Sequence, residues 1–215
     1  MENRDFDKNK NLFQISINKV FLQSKTNDLL FGCLLIKSFK LKELHNTRVV
    51  DKTKISIRML SQEIYNKDRV CKVQKDLNYL EDCGLIENVY AFDLKTKNKI
   101  PHFLQVKEST PFVLISQPII EHFVKSGVED ALKIYAYLMY KNNTVKKGNC
   151  GYNFTIEELL TDCLQFQSTT NSRNRKHVNE VLEFLKLSGL IDYKIVTIKG
   201  KNKTFQNFQL IQIKK

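Results

Sequence analysis

The chain repeats itself, and the repeat constrains every other reading of it. Val73, Leu77, Leu80, Gly84, Leu85, Ile86 and Glu87 are followed 105 residues later by Val178, Leu182, Leu185, Gly189, Leu190, Ile191 and Asp192. The apolar members stand at i, i+4 and i+7, which places them on one helix face, and glycine in the next turn is a natural stop. Upstream, Ile55-Ser56-Ile57-Arg58-Met59-Leu60 parallels Phe154-Thr155-Ile156-Glu157-Glu158-Leu159 at an offset of 99, so six extra residues enter the second copy between the two blocks. Ser56 and Thr155 occupy positions where a hydroxyl would cap a second helix. Further back, Phe13-Gln14-Ile15-Ser16 resembles Val113-Leu114-Ile115-Ser116, and Asn27-Asp28-Leu29-Leu30 resembles Glu129-Asp130-Ala131-Leu132. Each copy therefore opens with a short apolar segment and a first helix.

After each Gly-Leu-Ile comes an alternating apolar strand, a lysine-rich tip and a second apolar strand, the pattern of a β-hairpin. In the first copy Leu85 to Phe92 leads through Lys95, Lys97 and Lys99 to Phe103-Leu104-Gln105-Val106; in the second, Tyr193 to Ile198 turns at Lys199, Lys201 and Lys203 into Phe205 to Ile213. A length of 215 residues exceeds the usual single domain of roughly 100 to 150. Two α+β domains are expected, residues 1–108 and 109–215, each with about three helices and a hairpin. With 7 Gly and 3 Pro there is little material for long linkers.

The longest strongly apolar run, Leu29 to Ile36, falls well short of the roughly 20 residues of a membrane-spanning helix. The first residues also lack the apolar core of a signal peptide, so no membrane and a cytoplasmic location are expected. The 5 cysteines are scattered and form no C-x-x-C pair. They are expected to be reduced, mostly buried thiols and not disulfides or zinc ligands. A net charge of +12 implies an anionic partner, nucleic acid ahead of a membrane surface. Lysine and asparagine also accumulate in AT-rich genomes, so position has to carry the argument. Both halves come out at +6, residues 1–108 with 20 Lys+Arg against 14 Asp+Glu and residues 109–215 with 15 against 9.

The order helix, helix, helix, Gly-Leu-Ile, basic hairpin resembles a winged helix-turn-helix domain. The phrase Leu-x-x-Leu-x-x-x-Gly-Leu-Ile-acid is similar to the end of that domain's third helix, and the resemblance covers nearly the whole chain, twice. In that family the third helix lies in the DNA major groove, and the hairpin, or wing, touches the phosphate backbone or the minor groove. A tandem pair whose second copy opens with Ala131-Leu132-Lys133-Ile134-Tyr135-Ala136-Tyr137-Leu138 also resembles plasmid and phage replication initiators. The resemblance implies double-stranded DNA as partner, with host replication proteins recruited to an origin. A transcriptional regulator built from the same domains would act as a homodimer, and a protein-interaction adaptor would touch no nucleic acid.

With Val73 at the centre of the buried face, Lys67, Cys71 and Lys75 fall opposite and Lys72 at the flank; Arg69 precedes the same helix. With Val178 as centre, Ser172, Arg173 and Lys176 are exposed, His177 and Asn179 flank them, and Arg175 lies between. Arg and Asn are the side chains that read guanine and adenine edges, and Ser and Thr hold phosphates. Asp68 and Asp82 interrupt the first face, and Glu180 replaces Lys75 in the second. The wing lysines Lys95, Lys97 and Lys99, and Lys199, Lys201 and Lys203, alternate at period two and share one side. They are expected to contact phosphates, although lysine at a hairpin tip also discourages edge aggregation.

No catalytic centre or cofactor is expected. His45, His102, His122 and His177 stand singly, and Lys147-Gly148-Asn149 lacks the other elements of a phosphate loop. Glu157-Glu158 lies early in a helix, where carboxylates complement the dipole. Tyr135, Tyr137 and Tyr140 suit a core or dimer-facing helix.

Overall fold

The computed structural model describes residues 12–23, 25–41, 47–92, 99–145, 151–199 and 204–214. The two opening segments that resemble each other pair with each other: β1 (Leu12–Ser16) runs antiparallel to β6 (Phe112–Ser116). Gln14 sits opposite Leu114, its own counterpart, with Phe13 opposite Ile115 and Ile15 opposite Val113. A local two-fold therefore passes through this ladder.

The first copy continues through α1 (Lys19–Leu22), α2 (Asp28–Lys37), β2 (Phe39–Leu41), β3 (Thr47–Asp51), α3 (Ile57–Tyr65), α4 (Val70–Asp82), β4 (Ile86–Phe92) and β5 (Lys99–Val106). The second continues through α5 (Gln117–Ser126), α6 (Ala131–Thr144), β7 (Asn153–Phe154), α7 (Ile156–Glu158), a π-helical turn over Leu159–Cys163, α8 (Ser172–Leu187), β8 (Ile191–Lys199) and β9 (Thr204–Ile213). The strands form two further antiparallel sheets, ordered β2-β3-β5-β4 and β7-β9-β8. In both, the strand before the paired helices lies beside the last strand, which pairs in turn with the strand following the Gly-Leu-Ile. The chain is mixed α+β, as expected. Strands β2, β3 and β7, helix α5 and the β1–β6 ladder have no counterpart in the sequence reading.

Local chemistry explains the repeated elements. The Ser56 hydroxyl accepts from the Met59 amide at 3.1 Å and the Thr155 hydroxyl from the Glu158 amide at 3.1 Å, as expected of N-caps. Both Gly-Leu-Ile stops are the same motif. Gly84 and Gly189 have φ of 70° and 66°, where a side chain would be strained. Leu85 N–H returns to the Leu80 carbonyl and Leu190 N–H to that of Leu185, while the glycine amides bond Glu81 and Lys186. These paired bonds satisfy carbonyls that a helix end leaves open.

The core is continuous across both copies. In α2 every residue from Asp28 to Leu35 is buried, so this helix is apolar on all sides and must be enclosed. It packs against α5 and α6 of the second copy, a contact that crosses the expected boundary at 108/109. Gly32 allows the approach: a Cβ there would stand 3.1 Å from Ile120 Cγ2, 3.4 Å from Val124 Cγ2 and 3.5 Å from Leu132 Cδ2. Tyr135 and Tyr137 belong to this core, and Tyr140 is half-buried at its edge. Of the cysteines, Cys33 and Cys163 are buried, Cys83 is half-buried and Cys71 is exposed; Cys150 lies outside the described residues. Cys71 sits on the outer side of α4, opposite Val73, where helical periodicity places it. No helix among the described residues is long and apolar enough to cross a membrane.

Because three side chains already crowd Gly32, Gly32→Val is expected to lower stability by about 1 to 3 kcal/mol through overpacking. The check is the urea midpoint, which should fall with an unchanged m value.

Candidate nucleic-acid interface

Helices α4 and α8 are the corresponding third helices of the two copies, and each is set by the turn before it. Between α3 and α4 the chain reverses over four residues, Asn66 to Arg69. Asn66 takes the left-handed conformation, φ 50°, and closes α3 through its amide to the Gln62 carbonyl. The buried Ser61 hydroxyl then donates to the Lys67 carbonyl at 2.8 Å and accepts from the Arg69 amide, locking the turn from beneath. In the second copy the six extra residues lengthen this connection. The loop spans 164–171, α8 begins three residues earlier relative to α4, and the preceding helix ends in the π-helical turn. Asn171 caps α8, its carbonyl oxygen accepting from the Arg173 amide at 3.0 Å and, at 3.5 Å, from Asn174.

The two helices flank one cleft. Part of it, about 560 Å³, is lined by Arg173, Lys176, His177 and Glu180 of α8 together with Lys25, Glu129 and Asp130. The same three residues continue toward Lys72 and Asp76 of α4. The floor is the paired starts of α2 and α6, where the matched segments Asn27-Asp28 and Glu129-Asp130 meet. Asp28 is buried and accepts from the backbone amides of Asp130 and Leu132, both at 3.0 Å. Lys133, wholly buried, donates to Asp130 at 2.7 Å and to the Gln23 carbonyl at 2.9 Å. Asp130 also holds His177 Nε2 at 3.0 Å, which fixes α8 to the start of α6.

Burial pushes the Asp28 carboxyl up to about 6, against the pull of the Lys133 ammonium. Burial also raises Asp130, but its bonds to His177 and Lys133 prevail and hold it below the usual carboxylate value. The bond to Asp130 raises His177, outweighing the effect of its partial burial.

Ser172, Arg173, Lys176 and Asn179 are exposed on α8, as are Lys67, Arg69 and Lys75 at α4. Among the described residues Arg173, Lys67 and Lys75 enter no ion pair, whereas Lys176 lies 3.6 Å from Glu180 one turn on. Arg69 places its guanidinium 5.2 Å from the Tyr65 ring. Four other candidates make contacts within the molecule. Lys72 donates to Glu129 at 2.9 Å and lies 4.8 Å from the Tyr65 ring. Arg175 pairs with Glu157 and reaches the Thr169 carbonyl at 3.4 Å, so it braces the long loop. His177 is held by Asp130, and the Asn179 amide folds back onto the Arg175 carbonyl at 3.0 Å.

Lys95, Lys97, Lys201 and Lys203 lie outside the described residues. Lys99 and Lys199 are placed by their backbone as the first residue of β5 and the last of β8. The sequence reading had matched Asp28 and Asp130 in the repeat but gave them no role. It also missed Lys25, an isolated lysine that no periodicity marks. No group of three or more His, Cys, Asp or Glu among the described residues is arranged to hold a metal ion.

A histidine whose folded value lies above the usual one, about 6.5, adds stability that is fully present below that pH and lost as pH rises through the folded value. The unfolding midpoint is expected to fall between about pH 6 and 8, and to fall less in His177→Gln. An NMR titration placing the His177 ring at or below the ordinary value would contradict the geometry. Compared with known proteins, the chain matches no family model, no curated protein and no solved structure.

Proposed function

We propose that the protein is a sequence-specific double-stranded DNA-binding protein built of two winged-helix domains, residues 1–108 and 109–215, and that it acts as a replication initiator of a plasmid, phage or related mobile element. The observation that carries this reading is the repeated sheet order, β3-β5-β4 and β7-β9-β8, around the paired helices α3–α4 and α7–α8. In each copy a hairpin follows the last helix and its second strand pairs with the strand before the helices, within a four-stranded sheet in the first copy and a three-stranded one in the second; this order, with a net charge of +6 in each half, supports the winged-helix reading.

Arg173, Lys176 and Ser172 on α8, with Lys75 on α4 and Lys67 in the turn before it, are the side chains offered to base edges and phosphates. Arg175 and His177 serve the interface from behind, by holding the loop and the helix that carry the reading residues. Lys72 does the same for α4. The wing lysines anchor the complex to phosphates without sequence preference. Because α2, α5 and α6 bind both halves into one core, one chain presents two reading helices in fixed relation, a geometry that suits short repeats at an origin.

The test is selection of bound duplexes from a random pool, with affinities measured across a range of salt. The parent protein is expected to enrich a motif and to lose affinity steeply with salt. Arg173→Ala with Lys176→Ala should abolish the motif, each lost bidentate base contact costing about 1 to 3 kcal/mol. Lys199→Ala, Lys201→Ala and Lys203→Ala together should weaken all sequences alike and reduce the salt slope by about 3. Binding that is absent or insensitive to salt would replace this reading with that of a protein-interaction adaptor.

A further inference from the structure

The two copies differ at one place where the fold is otherwise the same. In the first, the opening turn of α3, one flank of α4 and strands β4 and β5 enclose a half-open cavity of about 230 Å³. Ile55, Leu77 and Leu104 supply apolar walls, and Lys52, Glu81 and Asn88 stand at its polar rim. Asn88 accepts from Lys52 Nζ at 2.8 Å and donates to the Glu81 carboxylate.

The offsets of 99 and 105 put Phe154 at the position of Ile55, Tyr193 at that of Asn88 and Lys186 at that of Glu81. Both positions face a buried leucine on the paired strand, Asn88 opposite Leu104 and, past a bulge between Asp192 and Tyr193, Tyr193 opposite Leu210. In the second copy the Phe154 and Tyr193 rings meet edge-on at 6.4 Å, and each packs on Phe208, at 5.3 and 5.4 Å. Lys186 Nζ lies 4.7 Å from the Tyr193 ring. The first copy has exchanged two rings for the shorter Ile55 and Asn88, and the cation for an anion. Large-to-small exchanges leave space wherever the surroundings do not collapse. A dry apolar cavity of roughly 150 Å³ already holds a benzene ring.

We propose that this cavity is a binding site for a small monocyclic aromatic molecule with one polar substituent. Its ring would occupy the space that corresponds to the Tyr193 ring, and its substituent would meet Lys52, Glu81 and Asn88. The second copy shows what fits, because the same framework there closes over aromatic rings with a polar edge toward solvent. The cavity shares no lining residue with the cleft between α4 and α8, and the proposal does not rest on DNA binding.

The test titrates p-cresol, the tyrosine side chain's own analogue, into the full chain labelled at the isoleucine δ-methyl groups. Saturable shifts are expected at Ile55, Ile57 and Ile86, with their counterparts Ile156 and Ile191 unmoved. Asn88→Tyr, which installs the second copy's ring, should weaken the affinity at least about tenfold. Ile55→Phe, a milder filling change, should do likewise and serves if the first variant does not fold. Absence of saturable shifts up to the solubility limit of p-cresol, or affinity unchanged in the folded filled variants, would overturn the proposal.

Discussion

The Asp28 carboxylate is the contact on which the arrangement of the two copies depends. It belongs to the first copy, yet it accepts the first amides of α6 in the second. Around it Lys133 is wholly buried, with Asp130 and the Gln23 carbonyl as partners. Buried charges persist only when paired and fully hydrogen-bonded, and removing one partner of such a set costs on the order of 3 to 5 kcal/mol. The network therefore penalises any arrangement in which the copies separate or rotate. It also continues outward through Asp130 to His177, so the orientation of α8 is referred to a fixed point in the core.

Around that point the two copies have diverged in different directions. The first keeps a four-residue turn locked by Ser61, and its third helix leans on Tyr65 and Glu129 through Lys72. The second inserts six residues, absorbs them in a longer loop, an earlier helix start and a π-helical turn, and then braces the loop with Arg175. The second copy has also filled its sheet-facing core with aromatic rings, where the first has left a cavity. The repeat is therefore preserved in fold but unequal in surface and packing.

Much of this was legible in the sequence. The N-caps at Ser56 and Thr155, the Gly84 and Gly189 stops and the alternation of the hairpins are local signals, fixed by residues a few positions apart. The burial of Val73 and Val178 and the exposure of Lys67, Lys75, Arg173 and Lys176 followed from helical periodicity alone. What periodicity could not give was the partner of each charge. Lys72, Arg175 and His177 lie on or beside the predicted faces, and only the fold brings Glu129, Glu157 and Asp130 against them, from positions 57, 18 and 47 residues away.

The short strands and the relation between the copies were decided by tertiary structure for the same reason. β7 is two residues long and β3 five, too short for alternation to distinguish them from loop, and each becomes a strand only because β9 or β5 offers an edge. The β1–β6 ladder joins segments about a hundred residues apart, whose similarity was visible but whose pairing was not. Local signals alone established that there are two copies, where α3 and α7 begin, where α4 and α8 stop, and which faces of α4 and α8 are apolar. The fold decided how the copies meet, because that depends on Gly32 admitting α5 and on a buried carboxylate finding the amides of another helix, and neither has any local signature.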